Sequence, residues 1–260
     1  MSARKLFRTV RVFILLMILL GVAAGSWLTS KRSTEWNSPL WVAVYPINAD
    51  NSSASQHYID NLSLDDFKSI EVFIAEEAGE FNLPLKKPFS IKLAPQVKSL
   101  PPAPPASGTT WEIMLWSLKL RYWAYQKNTF QGPAPHIRIF VKYFDAQDQQ
   151  ALAHSLGLQQ GMLGIVNAFS SRKMTLSNSV IITHEILHTL GASDKYDLST
   201  NQPKYPAGYA EVERNPLYPQ ELAEIMGGRI PINEEHSIIP RGLHQVIIGP
   251  ETAREIHWLK

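Results

Sequence analysis

Residues 184–188 read His-Glu-Ile-Leu-His inside an otherwise apolar run, SVIITHEILHTL, that stops at Gly191. This constrains the fold more than any other feature of the chain. Val180, Ile181, Ile182, Ile186, Leu187 and Leu190 call for a buried helix, and a buried helix tolerates three ionisable groups only if they have partners. Two histidines four residues apart project from one helix face, one turn apart, so both imidazoles reach a single ion at about 2.0–2.1 Å. Glu185 is rotated round the helix from His184, which puts its carboxylate beside that ion and within reach of an attacking water.

The next residues narrow the reading. Gly191 follows His188 by three positions and Asp194 follows it by six. A chain that must leave the helix sharply and return to the same ion needs a residue free to turn there, and glycine is that residue. The stretch HEILHTLGASD resembles the metzincin peptidase motif H-E-x-x-H-x-x-G-x-x-H, with Asp194 where the family has its third histidine. The resemblance implies Zn²⁺ held by His184, His188 and Asp194, Glu185 as catalytic base, and a peptide or protein substrate. It also implies a methionine turn beneath the metal, for which Met226 in AEIMGG (223–228) is the candidate. Residues 184–258 further resemble a group of uncharacterised bacterial membrane-anchored or secreted zinc peptidases. That likeness rests on HEILHTLGASDKYD, GYAEVERNPLYPQ (208–220), AEIMGGRIP (223–231) and GPETAREIHW (249–258).

Some roles stay open. Asp197 competes with Asp194 as third ligand, or supports a histidine N–H. Glu211, Glu221 and Glu224 are the glutamates that a gluzincin-type site would draw on, although prolines 206, 216 and 219 interrupt that stretch. Many metzincins place a tyrosine two residues after the turn methionine; Gly228 stands there, so the donor to a developing oxyanion must come from elsewhere. Tyr196, Tyr209, Arg229, His236 and His244 are the candidates. His57, His136, His154 and His257 lie far from the motif and read as surface or structural.

The N-terminus carries a second signal. Residues 12–28 (VFILLMILLGVAAGSWL) hold no charge, and as a helix they would cover roughly 26 Å, near the short limit for a membrane span. Arg4, Lys5, Arg8 and Arg11 precede them, so the positive-inside rule keeps the start of the chain cytoplasmic. We expect a basic cytoplasmic tail (1–11), a transmembrane signal anchor (12–28), a tether (29–38) and an exported domain (39–260). Ala23, Ala24 and Gly25 offer the competing reading of a cleaved signal peptide. Either way the domain is periplasmic or extracellular.

Six of the 25 basic residues fall in residues 1–32, where there is no acid, so the rest carries 19 basic against 23 acidic residues. An acidic body does not suit nucleic acid. The absence of cysteine excludes disulfides, thiol catalysis and thiolate metal sites.

Along the body, strands are expected at 40–45, 89–93, 136–144 and 162–169. Helices are expected from Ser63 to about Glu80, over 111–127, from Ser177 or Asn178 to Gly191, and after Pro250. LPPAPPASG (100–108) reads as a stiff loop within one domain. Apolar stripes on both sides of 111–127 predict a buried scaffold helix. Residues 162–169, just before the active helix, are the expected sheet edge for holding substrate as an added strand. The fold class is α+β: a metzincin-like zinc peptidase domain with a small mixed sheet and an active-site helix, behind a transmembrane helix. The expected activity is zinc-dependent hydrolysis of peptide bonds. The rivals are a non-catalytic exported domain with a structural or degenerate zinc site, and hydrolysis of another amide such as a cell-wall cross-link. Residues 50–108 are also long enough to cover the cleft.

Overall fold

The computed structural model describes residues 35–105, 108–147, 155–159 and 161–259, together with 7, 10–17 and 20–21. The expected tail, anchor and most of the tether lie largely outside these residues. Among the described residues no helix is long and apolar enough to cross a membrane.

The fold is α+β around a five-stranded mixed sheet. In chain order its strands are β1 (Leu40–Asn48), β2 (Phe89–Leu93), β3 (Ile137–Phe144), β4 (Leu156–Leu158) and β5 (Leu163–Phe169). Their spatial order is β2-β1-β3-β5-β4, parallel except for β4, which pairs antiparallel to β5. Strands on both sides of the proline cluster share this sheet, so the cluster connects two parts of one sheet.

Helices cover both faces, which is why β1 is almost uniformly buried. One face packs against α1 (Ser53–Asp60), α2 (Lys68–Glu80) and α4 (Thr175–Leu190); the core there joins Val42, Val44, Ile137, Ile139 and Val141 to Tyr58, Ile70, Ile74, Ile182 and Ile186. The other face packs against α3 (Thr110–Gln126) alone, where Tyr45 and Phe140 meet Leu120, Ala124, Trp116 and Trp123. A side chain such as Ile186, fully buried, contributes roughly 2–5 kcal/mol on truncation to alanine. After α4 the chain is irregular, held by the pairs β6–β9 (Ala223–Glu224 with Val246–Ile247) and β7–β8 (Ile230–Pro231 with Ser237–Ile238), and closes in α5 (Pro250–Glu255).

Helix starts follow their caps. Ser63 and Asp66 form a capping box, but what opens there is a short 3₁₀ turn, Leu64–Phe67, before α2. Thr109, not Thr110, caps α3, again in a box, with Glu112. Helix α1 has no counterpart in the sequence reading. It is eight residues long with a polar sequence, and it is started by Ser52, whose hydroxyl accepts from the Ser55 amide.

Three expectations fail. Helix α3 is not buried all round: only Leu120 and Ala124 are fully covered, while Trp111, Leu118 and Tyr122 are exposed. Residues 162–169 are not the sheet edge, because β4 pairs outside β5. And α4 begins at Thr175, two residues before Ser177.

Glu77 on α2 ties the sheet layer to the C-terminal segment by accepting from the Ile248 amide at 2.6 Å. Burial pushes its carboxyl up to about 7 despite that bond, and Glu80, Glu76 and Glu224 add to the rise. A folded-state pKa above the unfolded value means that the native state holds the extra proton. The stabilising contribution is therefore complete below about pH 4.5 and lost as pH rises through about 7. Glu77→Gln should flatten this dependence, so its thermal midpoint should gain on the wild type between pH 5 and pH 8. Parallel melting curves would contradict the assignment.

Candidate metal centre

Helix α4 ends where its sequence says it should. Gly191 adopts φ 111°, its amide bonds to the His188 carbonyl, and the Ala192 amide bonds to that of Leu187 at 3.1 Å, the paired closure of a left-handed helix stop. A side chain at 191 would be strained in this conformation. The reversal turns the Ala192 carbonyl back toward the helix, where the His188 Nδ1–H donates to it at 2.8 Å. His184 Nδ1–H donates to the Ile225 carbonyl at 2.9 Å. A carbonyl only accepts, so both bonds fix the tautomer and leave each Nε2 with its lone pair free.

Those two Nε2 atoms are 3.0 Å apart. Asp194 Oδ1 lies 3.2 Å from the first and 3.0 Å from the second. With both rings neutral, three electron-rich atoms crowd one point, an arrangement that a cation among them would satisfy. Ligands on one tetrahedral ion at 2.0–2.1 Å sit about 3.3 Å from each other, close to these gaps. Electrostatics follow the same logic. Without an ion a proton on Nε2 plays the same part: burial works against a charge on His184, but a hydrogen bond from its protonated ring to Asp194 and the Glu185 charge outweigh it, and its pKa is raised. Burial would lift Asp194 too, yet the hydrogen bonds from His184 and His188 hold its carboxyl well below the usual carboxylate range.

Glu185 is buried, and His184, Glu185 and His188 form a group whose ligand atoms lie within 4.8 Å of one another, able to hold a metal ion. Its Oε2 is buried with no hydrogen-bond partner among the described residues. Burial raises its pKa; the two histidines lower it, and Asp194 raises it further. An unsatisfied buried carboxylate oxygen costs roughly 1–3 kcal/mol or more, so its retention here points to a role for that oxygen.

The supports come from three places. The turn at 224–228 carries Met226, fully buried, and presents the Ile225 carbonyl to His184; the Met226 carbonyl accepts from the Lys195 amide at 2.8 Å. Lys195, itself buried, donates through Nζ to Glu255 of α5 at 2.6 Å, and the Ser193 amide donates to the same carboxylate at 3.0 Å. Glu255 therefore clamps residues 193–195 and sets where Asp194 points. Finally, β4 crosses α4 at the histidine turn. A Cβ at Gly157 would lie 2.4 Å from the His188 Cβ and 2.7 Å from the Glu185 carbonyl oxygen, so only glycine lets the edge strand come this close.

The other carboxylates are elsewhere. Asp197 accepts from the amides of Ser199 and Thr200 and closes its own turn. Glu211 and Glu221 hold Arg214. Glu224 is buried but engaged by the Gly227 and Gly249 amides and the Thr252 hydroxyl. Among the oxyanion candidates Tyr196 stands out: its ring lies 6.4 Å from that of His184, and after burial the nearby charges of Asp194 and Glu185 keep its hydroxyl protonated. Tyr209 bonds Tyr218 instead, at 2.8 Å. Sequence reasoning missed Lys195, Glu255 and Gly157. No protein-family profile matches the chain, and none of the curated proteins matches it in sequence.

Proposed function

We propose that this chain is a zinc-dependent, metzincin-like peptidase, anchored by residues 12–28 with its domain on the outer side of the membrane. The observation that carries the reading is the convergence of His184 Nε2, His188 Nε2 and Asp194 Oδ1 within 3.0–3.2 Å beside a buried, unpartnered Glu185 oxygen. His184, His188 and Asp194 would hold the ion. When bound, Zn²⁺ supplies a Lewis acid that polarises a carbonyl and lowers the pKa of water.

The chain's own residues do the rest. Glu185 takes the proton of the attacking water on its free oxygen and later gives it to the amine nitrogen as the C–N bond breaks. Tyr196, whose pKa is pushed up to about 12 by burial and by Asp194 and Glu185, stays protonated and donates to the tetrahedral oxyanion. Strand β4 is the sheet edge and passes against α4 at His188, so a peptide added to its free side runs past the histidines. A purely structural zinc site has four protein ligands and no need of an unpartnered acid beside it.

The test is cleavage of a peptide library by the zinc-loaded full chain. Hydrolysis should vanish on chelation and return with zinc; a metal-replete protein that cuts no peptide would leave the non-catalytic reading. In the same assay Tyr196→Phe should lower kcat by about 10²-fold with zinc content and KM little changed. An unchanged kcat would remove Tyr196 from the mechanism.

A further inference from the structure

The outer face of α3 is the largest unexplained feature of the molecule. Trp111, Tyr122 and Tyr125 are 70%, 64% and 73% exposed, and Met114, Leu115 and Leu118 are exposed beside them. At 100° per residue these six positions fall within one sector about 100° wide, opposite the sector of Leu120 and Ala124 that faces the sheet. Together they form an apolar patch on the order of 500 Å², the size of a monomer's largest patch, which is often a functional surface. The flanks are basic. Lys119 borders the stripe on one side and Lys127 follows its end; Arg121, on the other side, is half-buried toward Gly161, and the one acid of the helix, Glu112, is taken up in the cap with Thr109. Wide apolar face, aromatic rings and basic borders are the chemistry of a helix that lies in a bilayer interface.

The topology places this face near the chain's own apolar segment. Helix α3 carries the chain from the end of β2 back to the start of β3, and β1 and β3 are parallel, so the C-terminal end of α3 and the start of β1 share one end of the sheet. There Asn128 accepts from the Tyr45 hydroxyl at 2.6 Å, and residues 35–38 line a cleft together with Pro135, His136 and Arg138. Between the apolar run 12–28 and residue 35 there are only residues 29–34, which span at most about 20 Å. A second copy of the chain is a poorer occupant, since a specific dimer buries about 800 Å² on each partner.

We infer that the Trp111–Tyr125 face of α3 rests in the outer interface of the bilayer that the N-terminal segment enters. This rests on the anchor reading and extends it. The domain then sits flat against the membrane rather than swinging on a tether. The metal centre, on α4 across the sheet, faces away from the lipid.

A chain without cysteine gives clean labelling sites. Single variants Leu118→Cys, Leu115→Cys, Leu16→Cys and Val72→Cys of the full chain carry bimane and are reconstituted in phosphatidylcholine vesicles with a minority of phosphatidylglycerol. Val72 is exposed on α2, across the sheet from α3. Labels at 115 and 118 should be quenched several-fold more by doxyl lipid than the label at 72, and should be shielded from aqueous iodide. Iodide access at 118 equal to that at 72 overturns the inference. So does shielding from both quenchers, which means that protein covers the face. The label at 16 reports the anchor by itself: lipid contact at 16 with water at 118 sinks only the α3 inference, and water at 16 sinks the anchor.

Discussion

Glu185→Gln is expected to keep zinc and to lose about 10²–10⁴-fold in kcat. The amide has the size of the carboxylate and leaves His184 Nε2, His188 Nε2 and Asp194 Oδ1 where they are, 3.0–3.2 Å apart. It cannot accept the proton of the attacking water, which the proposed mechanism places on Oε2, the atom without a partner among the described residues. Two measurements on one sample decide the matter: metal content of the dialysed full chain and turnover of the best library peptide. Full zinc with turnover gone makes Glu185 a base. Zinc lost together with turnover makes it a ligand, which its place in the His-Glu-His group also permits. Zinc and turnover both intact would end the proposed mechanism.

The legible parts of this protein are those that follow from local geometry. The i, i+4 rule puts two imidazoles on one helix face, and Gly191 is read as the exit because no other residue accepts φ 111° without strain. The spacing from Gly191 singles out Asp194 over Asp197, and the structure brings the Asp194 oxygen to the histidines while Asp197 closes a turn of its own. What stays hidden depends on partners distant in sequence. Strand β4 has three residues and no alternation of its own; it is a strand because β5 pairs with it, and its presence removes β5 from the edge. Lys195 and Glu255 are 60 residues apart and carry no periodic signal. In α3 the apolar residues are visible but their use is not. Periodicity reports that both sides of a helix are apolar, and only packing decides which side meets the sheet.

Graded carboxylate removals test the centre most sharply. Asp194→Ala should weaken zinc binding by more than about 100-fold, because deleting a ligand exceeds the 10–100-fold that loss of an outer hydrogen-bonding partner typically costs. It removes a carboxylate oxygen 3.0 Å from His188 Nε2 and 3.2 Å from His184 Nε2. Glu255→Ala should fall in the range of an outer partner, about 10–100-fold, since it frees Ser193 and Lys195 and so loosens the residue between them. Asp197→Ala should change zinc affinity least, because its carboxylate serves only the turn at 197–200. Zinc titration of the three full-length variants against a competing chelator gives the order directly. The order Asp194, Glu255, Asp197 follows from a three-ligand site whose acid is aimed by the C-terminal helix. An Asp197 variant weaker than the Asp194 variant would move the third ligand and take the positioning role of Glu255 with it.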